Sequence, residues 1–201
     1  MNNQRTKNFG SKILNKVLKD VVIGVKHGLS SYYLQPEGEK IPYINISDVS
    51  DGSINSETVS SAAIKETAAL AKTRIEVNDV IITVKGSSFK AAIASQNERN
   101  AIISSNLIAF KLNNDVLPEL VVAYLNSPKG QQELKSRSAG IAQKFLSEKA
   151  LLDISIPIPP LEKQKQLAVY LQLSKEYDTL MERERELRKR INNSVVQSMM
   201  G

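Results

Sequence analysis

The sequence predicts an α+β chain, in which a β-rich globular part with short helices is followed by one long coiled-coil helix. Three observations carry that prediction. Val80, Ile82 and Val84 alternate before Gly86, and Ala91 to Ala94 stay apolar after it, so the stretch reads as strand, turn and strand. The alternating run "ISIPIPP", ending at Pro160, closes the β-rich part with prolines that a strand interior would not carry. From Leu161 to Met200 neither glycine nor proline interrupts a helical pattern.

Composition bounds the rest. The chain has 201 residues, 41% hydrophobic and 24% charged, enough for one domain with a real core and one appendage rather than a disordered chain. Cysteine is absent, which excludes disulfides and thiolate metal sites and fits a reducing cytosol. No apolar run approaches the ~20 residues that span a bilayer, and the start MNNQRTKNFGSK lacks the apolar segment of a signal peptide. A cytoplasmic location without membrane contact is expected. A net charge of +6 suits a polyanion, either nucleic acid or an anionic membrane surface.

Taken in order, residues 11–22 place Ile13, Leu14, Val17, Leu18, Val21 and Val22 at helical spacing and predict a short amphipathic helix. Residues 40–54 alternate as a half-buried strand that stops at Asp51-Gly52. "SSAAIKETAALA" reads as a short helix capped by Ser60 or Ser61. After the hairpin around Gly86, "AIISSNLIAFKLN" predicts another strand. "VLPELVVAYLNS" and "PKGQQELKSRS" predict helices, the second begun by Pro128. "EKALLDISIPIP" gives a short helix and a closing strand. The expected division is a globular domain over residues 1–158 and a helix over 159–201.

Within that helix Tyr170, Leu173, Tyr177, Leu180, Leu187 and Ile191 share one 3,4-spaced seam, with Glu184 at the remaining seam position. Pro160 suits a first helical turn, where its missing N–H has no cost. At 1.5 Å per residue the helix would run about 60 Å, against a diameter of ~30–40 Å for the domain, so much of it should project. An apolar face this long needs a partner. A second helix in a coiled coil supplies one; folding back over its own domain is the alternative.

Several chemistries have no residues to carry them. His27 is the one histidine, so neither a His-based triad nor an H-E-x-x-H zinc site can be built. The phosphate-binding P-loop and the G-x-G-x-x-G fingerprint are both missing. Asp48, Asp51 and Asp79 occur where turns favour aspartate. A carboxylate pair assembled by the fold stays open, but no motif asks for one. The chain is therefore expected to be no enzyme on its own and to need no cofactor.

Recognition chemistry remains. "VKGSSFK" surrounds a turn with Lys85 and Lys90, and its Ser87 and Ser88 offer hydroxyl and backbone N–H groups. That suits phosphate contacts from the lysines and sugar or base-edge contacts from the serines, or else an ordinary exposed turn. Residues 129–149 hold five Lys or Arg against two Glu. Lys129, Lys135, Arg137 and Lys144 could flank a duplex, with Arg137 or Gln143 reading a purine edge, unless this is a solvated helix face. Tyr32, Tyr33 and Gln35, after His27-Gly28, are candidate base or sugar contacts; core or surface tyrosines are the other reading.

The order of these segments resembles the DNA specificity subunit of type I restriction–modification systems over nearly the whole chain. "IPYINISDVSDGSI" is similar to that family's isoleucine–proline strand and the turn after it. "VNDVIITVKGSSFKAAI" is similar to a G-D-I-L strand leading into an R-G-S-x-G-K hairpin. "LPELVVAYLNSPKGQQELKSRSAGIAQKFLSEKALLDISIPIPPLEKQ" carries the family's Y-L-N-S helix, S-x-G-x-x-Q segment and P-P-L-E-x-Q lead-in to the long helix. Departures are Asn78 for the glycine before the strand, Lys85 for arginine, Phe89 for glycine and Lys163 for the second glutamate of P-P-L-E-E-Q. Lysine lacks the bidentate fork of arginine, so Lys85 suits phosphate better than a base.

The resemblance implies double-stranded DNA as ligand, and DNA methyltransferase (modification) subunits and restriction subunits as partners. It also implies a half-subunit: family members carry two recognition domains and two antiparallel helices, and this chain carries one of each. The expectation is a homodimer with a second copy, reading a bipartite palindrome through its two domains. Two other classes stay in view, a coiled-coil scaffold or regulator whose head binds protein, and a self-contained nuclease or methyltransferase.

Overall fold

A computed structural model of the chain describes residues 13–50, 52–64, 70, 73–140 and 144–200. Contacts divide the chain into two units, residues 1–164 and 165–201. The first unit is built on three sheets. Strands β2 (Val22–His27), β5 (Val80–Thr83), β6 (Ala91–Ile93) and β8 (Leu107–Leu112) form an antiparallel sheet in the order β2-β8-β5-β6. Strands β3 (Leu34–Ile44), β4 (Ser60–Ile64) and β7 (Ile102–Ile103) form a second in the order β4-β3-β7, with β3 and β7 parallel. Strand β1 (Leu14–Val17) pairs antiparallel with β9 (Ser155–Ile158).

The core lies where the two larger sheets face each other. Ile81, Ala92, Leu107 and Ala109 of the first sheet pack with Ile44 and Ile103 of the second. Ile41, Tyr43, Ile64, Leu70 and Ile102 form a cluster on the second sheet's other face, as the period of two along a strand requires. Helix α1 (Pro118–Asn126) packs on β5 and β6 and buries Leu120, Val121, Val122 and Leu125. All four residues of β5 are therefore buried, covered on both faces. Helices α2 (Pro128–Arg137) and α3 (Glu148–Leu152) follow, begun by Ser127 and Ser147, whose side chains accept from Gly130 N and Ala150 N.

Helix α4 (Leu161–Met200) begins directly after Pro160, whose carbonyl accepts from Lys163 N and Gln164 N. Its first turn is tied down by Gln164, which is 2% exposed. The Gln164 amide accepts from Leu117 N (2.9 Å) and donates to Asp115 O and Pro159 O (both 2.9 Å). In the second unit the helix keeps Tyr170, Leu173, Tyr177, Leu180, Leu187 and Ile191 exposed. Glu184, in the same row, is paired with Arg188 at 2.6 Å.

The class of fold agrees with the sequence, and so do the hairpin, α1, α2, α3, β9 and the long helix. Four local expectations are corrected. Residues 14–22 are strand, a 3-10 turn (Leu18–Asp20) and strand, not a helix. Leu18 and Val21 are buried, but Ile13 and Leu14 are exposed, so the apolar spacing marked a bend between strands rather than one face. Ser60–Ile64 is a strand, because pairing with β3 overrides the helix propensity of its alanines; most of the remainder of that expected helix lies outside the described residues.

The strand expected over 40–54 begins earlier, at Leu34, and ends at Ile44. There Asp48 accepts from Asn45 N (2.7 Å) and from Thr58 Oγ1 (2.7 Å), turning the chain into a 3-10 helix. Asp51, expected at its end, lies outside the described residues. The single strand expected around 101–113 is two, β7 and β8, broken by a turn at Ser104.

Candidate nucleic-acid interface

Register pairs His27 with Ile108, Thr83 with Leu107, and Ile82 with Ala91. The ends of β2 and β5 and the starts of β6 and β8 therefore share one end of the four-stranded sheet, and their loops gather there. Backbone hydrogen bonds string these loops together. Leu29 N donates to Ile103 O (2.7 Å), Ser105 N to Leu29 O (3.0 Å), Val84 N to Asn106 O (2.9 Å), and Leu146 N to Val84 O (2.9 Å). Gly28 is where the first loop meets the 104–106 turn: a Cβ there would lie 1.8 Å from Ser104 O, so no other residue fits without displacement.

The hairpin tip is anchored to the chain after α2. Gly86, at φ +121, donates its N–H to Lys144 O (3.1 Å), and Lys85 bridges Phe145. Phe145 in turn exchanges two backbone bonds with Ala139, of 2.8 and 2.9 Å. Thr83 braces the tip from inside: its hydroxyl accepts from Lys90 N (2.9 Å) and donates to Ser88 O (3.2 Å). Lys85, Ser87, Ser88 and Lys144 thus lie on adjoining backbone segments, Lys90 at the tip's far limb, and Lys135 and Arg137 in the last turn of α2 just before Ala139. Among the described residues Lys85, Lys90, Lys135 and Lys144 form no ion pair.

Arg137 differs. Its Nη2 lies 3.1 Å from Glu133 Oε1, and Tyr124 donates its hydroxyl to Glu133 Oε2 at 3.0 Å. Burial, and then the Glu133 carboxylate, push the Tyr124 phenol up to about 12. The Arg137 guanidinium is held by its own helix. Gln143 lies outside the described residues.

Tyr32 and Tyr33 occupy a 3-10 turn (Ser31–Tyr33) capped by Ser30, with their rings edge to face at 5.6 Å. Tyr32 is 87% exposed. Just before that turn, Leu29 O accepts from the Tyr43 hydroxyl at 2.9 Å, and burial raises the Tyr43 phenol. Gln35 is exposed in β3, opposite Ala63. The loop that leads into these three meets the 104–106 turn through Leu29, and that turn meets the hairpin through Val84. His27, read as a polar loop residue, ends β2 and meets Glu148 at 2.8 Å.

The sequence reading passed over the residues that hold the site in place. Asn126 accepts from Ala91 N and donates to Ala91 O, both at 2.8 Å. Gln131 accepts from Phe89 N (3.3 Å) and donates to Phe89 O (2.5 Å) and Leu125 O (2.8 Å). The motif Y-L-N-S thereby acquires a physical content, in a Tyr bound to Glu133, a buried Leu125, an Asn on the strand edge and a Ser capping α2.

These features define a class of protein: a layered head whose loops converge at one end of a sheet, with a long helix continuing from its last strand. The family model described as "Type I restriction modification DNA specificity domain" matches residues 15–193, and the chain belongs to that family. It is 29% identical over 97 residues to the type I restriction enzyme MjaVIII specificity subunit of Methanocaldococcus jannaschii, a stretch covering 48% of this chain and 22% of the relative.

Three solved structures share the fold. A chain from a study of complex assembly and conformational transition of the type I R-M system has a TM-score of 0.63 at 19% identity, over 90% of this chain and 42% of that one. The HsdS subunit from Thermoanaerobacter tengcongensis has a TM-score of 0.60 at 18% identity, over 90% and 42%. The type I S subunit from M. genitalium has a TM-score of 0.57 at 17% identity, over 85% and 41%. The chain thus spans about four-tenths of these structures' length. Among the described residues no helix is long and apolar enough to cross a membrane.

Proposed function

We propose that the chain reads double-stranded DNA as a specificity subunit of a type I restriction–modification complex and itself carries no methyl-transfer chemistry. One observation carries this reading: in a chain of this family, the loops at one end of the sheet present Lys85, Lys90 and Lys144, which form no ion pair among the described residues, beside exposed Ser87 and Ser88. Lysines so placed suit phosphates, and the serine hydroxyls and the Tyr32–Tyr33 pair suit sugar and base edges. Arg137, engaged by Glu133, is secondary to these. Residues 1–158 act as the recognition domain. Modification subunits, and through them restriction subunits, dock on the faces of residues 159–201 outside the seam, in the cytoplasm and without a cofactor bound by this chain.

The exposed seam from Tyr170 to Ile191 supports pairing of two copies, antiparallel about a two-fold axis, so that two identical heads read the halves of an interrupted palindrome. Selection from a randomised duplex pool by the chain with its modification subunit tests the reading. A bipartite palindrome is expected, bound with a log–log salt slope of about −0.9 for each phosphate neutralised. Duplex binding without sequence preference, alongside tight capture of a protein by the head, would return the scaffold reading. Light scattering tests the pairing separately, and a monomeric mass at micromolar concentration would sink it.

A further inference from the structure

The outer edge of β6 meets an isolated bridge from Gly52, whose N–H donates to Ala91 O at 2.9 Å, and side chains supply the other partners at Phe89 and Ala91. Phe89 and Ala91, two residues apart, turn their N–H and C=O groups away from β5, while Lys90 pairs with Thr83. Gln131 takes both groups of Phe89, and Asn126 takes both groups of Ala91. A primary amide presents a donor and an acceptor side by side, as a peptide unit does, so two side chains stand in for a neighbouring strand. They come from consecutive helices, and Gln131 also holds the end of α1 through Leu125 O. Gly130 makes this reach possible, because a Cβ there would lie 2.0 Å from Tyr124 O and force α2 away from α1.

The same helix controls the opposite limb of the hairpin. After α2 the chain runs to Ala139 and returns as Lys144 and Phe145, which pair with Gly86 and Lys85. The tip is therefore clamped on both limbs, by Gln131 near the start of α2 and by the segment that follows its end. Phe89, buried completely, leaves the tip no slack.

We infer that Gln131 is a specificity-positioning residue: it touches no DNA, and it sets where Lys85, Ser87, Ser88 and Lys90 meet the duplex. This rests on the DNA-reading function proposed above. Phosphate contacts tolerate displacement of a flexible lysine, whereas base-edge contacts depend on hydrogen-bond geometry and do not. Loosening the clamp should accordingly blur discrimination more than it weakens binding.

The experiment uses the full chain with its modification subunit and a randomised duplex pool, comparing wild type with Gln131→Ala, Gln131→Glu, Ser87→Ala and Gln164→Ala. Gln131→Glu keeps the acceptor for Phe89 N but loses both donations. Gln164→Ala is the matched control, removing a buried amide with the same number of bonds at a place remote in sequence from the hairpin. Both Gln131 variants should lose about tenfold in selectivity at the base pairs that Ser87→Ala also flattens, with the other base pairs unchanged. Gln164→Ala should lower the melting temperature comparably while leaving every preference intact. If Gln131→Ala keeps the wild-type preferences, as the Gln164 control is expected to, or loses all positions equally, the inference is overturned and the DNA-reading function stands. A wild-type complex that selects no sequence overturns that function and the inference together.

Discussion

Gly130, Ser127 and Gln164 show how much of this head depends on side chains and close approaches that serve the backbone. Replacing Gly130 by alanine drives a methyl group into Tyr124 O, and overpacking of this kind costs about 2 kcal/mol; urea unfolding should register that loss. Gln164→Ala strands partly buried backbone groups of Asp115, Leu117 and Pro159 and should cost about 2 kcal/mol, read in the same way. The Tyr124 phenol gives a test by pH. Its folded value, about 12, lies above the ordinary 10, so the stabilisation it carries is complete below pH 10 and is lost as pH rises from 10 through about 12. Glu133→Gln should bring phenolate absorbance at Tyr124 to lower pH and free Arg137. At this scale the sequence was least legible. Nothing in "GQQ" distinguishes Gln131 from its exposed neighbour Gln132, because the partners are backbone atoms far away in the chain. Asn78, which stands where the family often has glycine, adopts a φ of +71, a left-handed conformation that asparagine tolerates better than most side chains.

Elements with one strong local pattern were readable. The hairpin around Gly86 and the helices α1 and α2 have clear periodicity and clear start signals, Pro118 and Pro128. Where the apolar spacing fitted two periods, as over residues 14–22, or where alanines left propensity and pairing in conflict, as over Ser60–Ile64, the sheet decided. The candidate recognition residues follow the elements: those of the hairpin and α2 sit on the elements expected to carry them, whereas the engagement of Arg137 by Glu133 arises only in the folded chain. Two predictions belong here. Lys85→Ala should reduce the salt slope of duplex binding by about 0.9 without changing the selected half-sites. Inserting one heptad in α4 adds about 10 Å, close to three base pairs at about 3.4 Å each, and should lengthen the tolerated spacer while the half-sites persist. Altered half-sites at an unchanged spacer would refute the helix as a ruler.

For the whole molecule, the pairing of β1 with β9 sets an order in time. Leu14 lies opposite Ile158 and Val17 opposite Ser155, so this small sheet joins strands at opposite ends of the head's sequence. Closing a loop of that length costs about 4 kcal/mol more in chain entropy than closing a very short one, which a four-residue ladder does not offset early in folding. The β5–β6 hairpin and the α1–α2 pair have no such cost and can form first. Ile156→Ala, at a fully buried position in β9, should therefore accelerate unfolding in stopped-flow measurements and hardly slow refolding; a refolding limb slowed in proportion to the lost stability would contradict this order. In the cell the consequence is one of sequence in synthesis. The strand that completes the head, β9, immediately precedes the long helix in the chain, so synthesis makes it before the seam. On the proposed pairing of two copies, the last strand of each head is then made before the surface through which the copies would meet.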